Sequence, residues 1–323
     1  MIINRIIRNL FPSVSLCGKT FAQTQNIYIS DINDISSLNE MKSDDIECLI
    51  YDDTPLLTDE ILFELSQLCL TLNKSFQIGD GYISPRGFSG IPERCAMIET
   101  VQFDVRQYDV FMSVINKRII DRLCEQGVIF YDKNSVFLHE DVHICSGCVI
   151  YPFVNIQGKT YIGKNSIIYS NSFICSSTIG DDVTVKSSYI FDSVIGDGCT
   201  VGPFAYIRNH SNVSENCRVG DFVEIKNSVI ESGVKCAHLT YIGDAIVGAN
   251  TNVGCGSVFC NFDGTKKHHT TVGANVFIGA NTNLVAPLTI GDNVFIAAGS
   301  TVTKNVPPDS FVIARSRQIT IDH

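Results

Sequence analysis

Residues 201–225 read VGPFAYIRNHSNVSENCRVGDFVEI, and within them Val201, Ile207, Val213, Val219 and Ile225 stand six positions apart. A six-residue period is neither the 3.6 of a helix nor the 2 of a simple strand. The same spacing continues through Ile230, Cys236 and Ile242, through Val247 and Val253, and from Val272 through Ile278, Leu284, Ile290 and Ile296 to Val302. Upstream it holds for Val136, Val142, Cys148 and Val154, and for Ile162, Ile168 and Ile174. Glycine often follows the aliphatic residue, as in Val219-Gly220, Ile242-Gly243 and Ile290-Gly291. The pattern predicts a short strand and a sharp turn, repeated, with every sixth side chain pointing into a narrow interior. Coils of this kind bury their apolar residues only against their neighbours, so stacking them makes a β-helix prism.

The longest break in the period is 259–271, FCNFDGTKKHHTT. It predicts a loop leaving the prism between two registered coils, a natural place for a binding residue. Ahead of the repeats, residues 108–126 read as a helix with Val110, Phe111, Val114, Ile115, Ile119, Ile120 and Leu123 on one face and Gly127 just beyond its end. Earlier still, Cys48–Tyr51 reads as a strand, Asp52–Pro55 as a turn and Thr58–Leu70 as an amphipathic helix. The expected organisation is a small α/β domain over 1–105, a linker helix over 106–130 and a β-helix over 131–323. A chain of 323 residues is long enough for about two domains.

Composition narrows the function. Hydrophobic residues make up 45% and charged residues 18%, enough for a real core. A net charge of −10 argues against a general nucleic-acid binder. The acidity is uneven: residues 1–100 carry 7 basic and 14 acidic side chains, whereas 201–323 carry 9 of each. The C-terminal part therefore resists an anionic ligand least. No run approaches the ~20 apolar residues of a membrane span. Met1–Cys17 is broken by Arg5 and Arg8 and lacks a small-residue cleavage site, so it does not read as a signal peptide and a cytoplasmic location is expected. The 13 cysteines are odd in number and irregularly spaced, which fits reduced thiols better than a disulfide scaffold. Cys145 and Cys148 form one CxxC without a second pair, and the repeat makes both wall positions rather than metal ligands.

Six strings carry more information than coil geometry demands: VGPFAYIRNHS (201–211), VGDFVEIKNS (219–228), AHLTYIGDA (237–245), NVGCGSVFCNFDG (252–264), FIGANTNLVAP (277–287) and AAGSTVTKNVP (297–307). In this order they resemble the acetyltransferase domain of the bifunctional uridyltransferase/glucosamine-1-phosphate N-acetyltransferase family, a hexapeptide-repeat family. The resemblance implies a left-handed parallel β-helix, acetyl-CoA as co-substrate, no metal for acetyl transfer, and a homotrimer with sites where prisms meet.

It also implies roles. His238, in HLTY, is the implied base; an amino sugar must lose a proton before attacking a thioester, and an imidazole titrates in the right range. Glu224, about one coil earlier, is the carboxylate implied beside it. Arg208 and Lys226 match the pair that holds the sugar phosphate. They stand three hexads apart, so they should stack one coil apart as a fork of donors and a point charge. Tyr241 and Asn252 match sugar-contacting residues, and Lys267, in the 259–271 loop, matches a lysine that reaches the substrate. Asn261, Phe262, Ala280, Ala298 and Arg315 match positions that meet acetyl-CoA, where backbone amides can stabilise an oxyanion. Two positions depart from the family: Phe262 replaces a tyrosine and His269 an arginine, which puts donor preference and affinity in question.

The family's N-terminal domain opens with a glycine-rich nucleotide loop, but residues 1–78 here hold one glycine, Gly18. No phosphate-cradling loop follows from such a stretch. Asp52–Leu56 resembles one fragment, the turn whose aspartate helps hold Mg²⁺, with Asp53 at that aspartate and Asp52 in place of a glycine. Residues 1–105 therefore read as a degenerate remnant that has lost uridyltransferase activity. Two other readings stay open: transfer to another amino sugar, and a non-catalytic sugar-phosphate-binding paralogue. A metal hydratase ranks last, because His139, His143, His210 and His238 have no clustering spacing.

Overall fold

The computed structural model describes short backbone strands within residues 1–94 and the chain from Tyr108 to Ile321, with side chains from Met112 onward except Val114. It falls into two units, Met1–Ile115 and Asn116–His323. In the first, strands Ile3–Ile6, Ile46–Leu49, Phe76–Ile78, Gly81–Pro85 and Glu93–Arg94 form a five-stranded mixed sheet. The expected strand at Cys48–Tyr51 overlaps Ile46–Leu49. The Asp52–Leu56 turn with Asp53 and the helix at Thr58–Leu70 lie outside the described residues.

The second unit is a three-faced parallel β-helix. One face has 11 strands, from Ile129–Phe130 to Phe311–Val312; the next has 10, from Phe137–Leu138 to Thr301–Val302; the third has 9, from His143–Ile144 to Leu288–Ile290. Each strand pairs with the equivalent strand of the coil before and after it. The hexad residues fill the interior: Val201, Ile207, Val213, Val219, Ile225, Ile230, Cys236, Ile242 and Val247 are all fully buried. Burying a Val or Ile side chain stabilises by about 1.5–3 kcal/mol, so these columns are the main source of cohesion.

The corners follow from turn chemistry. Buried Ser and Thr hydroxyls turn back onto a nearby carbonyl and accept an amide from the next coil. Ser228 Oγ donates to the Lys226 carbonyl (2.8 Å) and accepts from the Ala245 amide (3.0 Å). Ser211 Oγ donates likewise to the Arg208 carbonyl (2.7 Å). Corner residues adopt positive φ, mostly Asn, Asp and Gly, which tolerate it. Phe204 (φ 58°), Phe222 (φ 54°) and Leu239 (φ 45°) do so without that tolerance, and all three are exposed.

Helix α1 (Tyr108–Glu125) leads into the prism. Ile119, Ile120 and Leu123 are buried, while the side chains of Val110, Phe111 and Val114 lie outside the described residues. Asn116 ties the helix to the first coil: Nδ2 donates to the Val136 carbonyl (2.7 Å) and Oδ1 accepts from the Leu138 amide (2.8 Å).

Candidate active site

His238 ends the strand Lys235–His238 on the 11-stranded face, at the corner leading to the 10-stranded face. It is half exposed, and its Nδ1 lies 2.5 Å from Asp221 Oδ1. The two residues are register partners on adjacent coils. A carboxylate on Nδ1 fixes the ring and leaves Nε2 as the group free to take a proton. Leu239 follows at φ 45°, an uncommon conformation for a leucine.

The carboxylate expected beside His238 was Glu224, and the structure places it elsewhere. Glu224 Oε1 accepts from Arg208 Nη2 (2.5 Å) and Nε (3.2 Å). The reason is coil length: one coil back from His238 is Asp221, 17 residues away, whereas Glu224 is one coil back from Tyr241. Counting the coil at 17 rather than about 18 residues would have found Asp221.

Arg208 and Lys226 are register partners on the 10-stranded face, the geometry their spacing predicts. Arg208 Nη1 also donates to Asn209 Oδ1 (2.9 Å), and the guanidinium lies over the Tyr206 ring (5.1 Å). Lys226 Nζ lies 3.8 Å from Asp244 Oδ2. The neighbouring Lys267 and burial hold the Lys226 ammonium below the usual lysine range, against the pull of Asp244. Lys226 and Lys267 thus crowd together, which favours a multiply charged anion between them.

Tyr241 and Asn261 complete this cluster. Asn261 Nδ2 lies 2.5 Å from Asp244 Oδ2 and 3.3 Å from the Tyr241 hydroxyl. Gly243 sits between them; a Cβ there would collide with both the Tyr241 hydroxyl and the Asn261 amide nitrogen. Asp244 and Gly243, absent from the sequence-derived site, belong to it. Their signal was present in the YIGDA string but had no side-chain chemistry attached to it.

The 259–271 segment leaves the prism as expected, but as an ordered hairpin. Phe262 bridges Lys267, and the His268 amide donates to the Asn261 carbonyl (2.7 Å). Asp263 organises the tip through the Thr265 and Lys266 amides (2.8 Å each) and the His268 ring (2.6 Å). Phe262 itself is exposed. The Leu288 amide donates to the His269 carbonyl (3.3 Å).

The remaining residues trace a second line. His238, Cys255, Ala280 and Ala298 occupy equivalent corner positions on four successive coils. Arg315 lies near the last of them, its Cδ facing Gly299. Small side chains beyond His238 leave a strip of accessible backbone along this corner. Asn252 lies apart from the cation cluster: it pairs with Lys235 and Phe277 on the 11-stranded face, while Arg208, Lys226 and Tyr241 are on the 10-stranded face. Among the described residues no group of three or more His, Cys, Asp or Glu side chains is gathered for a metal ion.

The arrangement can be compared with known proteins. Residues 141–176 and 269–304 match the bacterial transferase hexapeptide family (six repeats), and 167–253 match the GlmU-like C-terminal hexapeptide family, across the coils that carry Arg208, Lys226 and His238. The prism carries a GlmU-like hexapeptide segment over 167–253. It is therefore a left-handed β-helix of hexapeptide repeats. Relatives include the bifunctional protein GlmU of Clostridium botulinum (strain ATCC 19397 / Type A), 52% identical over 206 residues, which are 64% of this chain and 45% of that protein. GlmU of Clostridium novyi (strain NT) is 42% identical over 252 residues, 78% of this chain and 53% of that protein. The chain thus spans about half the length of the curated relatives it matches. Among solved structures, UDP-N-acetylglucosamine acyltransferase from Campylobacter jejuni aligns with a TM-score of 0.42 at 17% identity, covering 56% of this chain and 70% of that one.

Proposed function

We propose that this GlmU-like chain transfers the acetyl group of acetyl-CoA to the amine of glucosamine-1-phosphate. The observation that carries the reading is the pairing of a carboxylate-oriented imidazole, His238–Asp221, with a cation cluster on the adjoining face of the same coils. Arg208, Lys226 and Lys267 hold the sugar phosphate, and Tyr241 contacts the sugar. His238 Nε2 takes a proton from the amine. The amine nitrogen then forms a bond to the thioester carbonyl carbon, its surplus proton is lost to solvent as the tetrahedral intermediate collapses, and the carbon–sulfur bond breaks as the proton held on His238 Nε2 passes to sulfur, so CoA leaves as its thiol. Backbone amides along the Ala280–Ala298 corner hold the oxyanion and the pantetheine arm, with Arg315 at the CoA phosphates. Residues of this chain complete the step, and no metal is invoked.

Glu224 keeps Arg208 oriented between turnovers. Asn252, facing away from the cluster on the same prism, joins the site of a neighbouring copy in a homotrimer, where faces of two prisms meet. Asn261 and Phe262 border the acetyl group. Residues 1–105 are a remnant without uridyltransferase activity, and the free thiols of the described part suit a cytoplasmic location. The departures at Phe262 and His269 favour a second reading, transfer to a different amino sugar.

The test is product formation followed by mass, with purified chain, acetyl-CoA and glucosamine-1-phosphate, beside a His238→Ala variant and a set containing UTP and Mg²⁺. N-acetylated product from the parent alone, without nucleotide sugar, is the expected result. No product despite acetyl-CoA binding moves the assignment to another amino sugar, and no acetyl-CoA binding leaves a sugar-phosphate-binding paralogue.

A further inference from the structure

Asp244 stands in the left-handed corner (φ 52°) where the 10-stranded face ends, and nothing in the reaction as written uses it. Its side chain is 13% exposed. Both oxygens are engaged by amides from the flanking coils: Asn227 Nδ2 on Oδ1 at 2.6 Å and Asn261 Nδ2 on Oδ2 at 2.5 Å. Lys226 Nζ is 3.8 Å from Oδ2. Burial pushes the Asp244 carboxyl up, but the Asn227 amide, the Lys226 charge and the Asn261 amide outweigh it and hold it below its ordinary value, so it is ionised at neutral pH.

A carboxylate accepts hydrogen bonds and cannot donate them. An amide oxygen turned toward it at 2.5 Å would be repelled, so Asp244 dictates which end of Asn261 faces it. The second Nδ2 hydrogen is directed at the Tyr241 hydroxyl. Oδ1 must then face the other way, as an acceptor. The missing Cβ at Gly243 leaves the space in which Tyr241 and Asn261 meet. An asparagine side chain in isolation has no such preference, because its two ends are nearly the same shape.

We propose that Asp244 is a positioning residue: it fixes the Asn261 amide so that its oxygen faces the reacting amine. This rests on the acetyl-transfer reading above. Charge and orientation predict opposite effects on binding and turnover. Removing a negative charge beside Lys226 and Lys267 does not weaken a phosphate acceptor, whereas a freed amide samples the wrong orientation in the transition state.

The experiment compares Asp244→Asn, Asn261→Ala and the double variant with the parent, in the intact chain. The expected result is a fall in kcat of at least about tenfold for Asp244→Asn with no rise in acceptor KM, a melting temperature near the parent's, and a double variant no slower than Asn261→Ala. A kcat within twofold of the parent, or losses that multiply in the double variant, overturns the proposal. A parent inactive on glucosamine-1-phosphate counts against the acceptor assignment instead. In that case the side-chain amide resonance of Asn261, identified by its absence in Asn261→Ala, decides: a shift toward the solvent-exposed position in Asp244→Asn supports the fixed amide, and an unmoved resonance overturns it.

Discussion

Asp221 and His238 face each other from adjacent coils, with 2.5 Å between Oδ1 and Nδ1, because their strands pair in register. Under the proposed acetyl transfer the carboxylate does not need to touch substrate to matter, since it sets the tautomer of the proposed base. His238→Ala should lower kcat for acetyl transfer by about 10²–10⁴-fold, the usual contribution of a positioned base. Asp221→Asn should lower it by about 10- to 100-fold with acetyl-CoA KM nearly unchanged. Steady-state kinetics on both variants check this; an Asp221→Asn enzyme as fast as the parent would contradict the dyad.

Arg208 uses all three of its nitrogens, two on Glu224 and one on Asn209. A lysine cannot reproduce that fork. Arg208→Lys should therefore raise the acceptor KM by about tenfold while kcat changes less, although the charge is retained. Titrating the acceptor against both enzymes at two salt concentrations measures it.

Gly243 has little intrinsic chemistry, yet the Tyr241–Asn261 meeting requires its missing side chain. Gly243→Ala should displace both groups and cut kcat/KM by about 10- to 100-fold, the scale of an ångström-sized misplacement. Its melting temperature should fall by a few degrees at most, since the atoms an added Cβ meets are the ends of two side chains rather than backbone. Activity and thermal unfolding measured on one preparation separate the two effects.

The loop tip gives a pH prediction. The Lys266 amide, the His268 ring and the Thr265 amide hold the Asp263 carboxyl far below the usual carboxylate range. A depressed folded-state value stabilises above the unfolded value of about 3.9 and is lost only as pH falls through the lower one. In a His268→Gln variant, hydrogen exchange of the Thr265 and Lys266 amides should therefore show the same opening equilibrium at pH 8 and pH 5, once corrected for intrinsic rates. Asp263→Asn should open the loop at both pH values and raise the acceptor KM through Lys267.

Phe259 is fully buried at the point where the loop departs. Phe259→Ala should destabilise the prism by about 3–5 kcal/mol, read from urea unfolding.

Much of the prism was legible because its cause is local and repeated. A hexad of aliphatic residues, a turn residue tolerant of positive φ and a small residue at the next corner recur coil after coil, so each segment states its own conformation. The Arg208–Lys226 stack was legible for the same reason: three hexads make one coil. The loop at 259–271 was visible as a failure of the period, but its hairpin was not, because Asp263 builds it from hydrogen bonds rather than from apolar spacing.

The amino-acid sequence by itself determined that this chain stacks hexad coils and which string holds its histidine and its cations. The tertiary structure decided which side chains face each other. Coils differ in length by a residue or more, and one residue along a strand turns a side chain to the opposite face. That is why His238 meets Asp221 and not Glu224, why Glu224 falls to Arg208, and why Asp244 lies between two amides that are 17 residues away on either side.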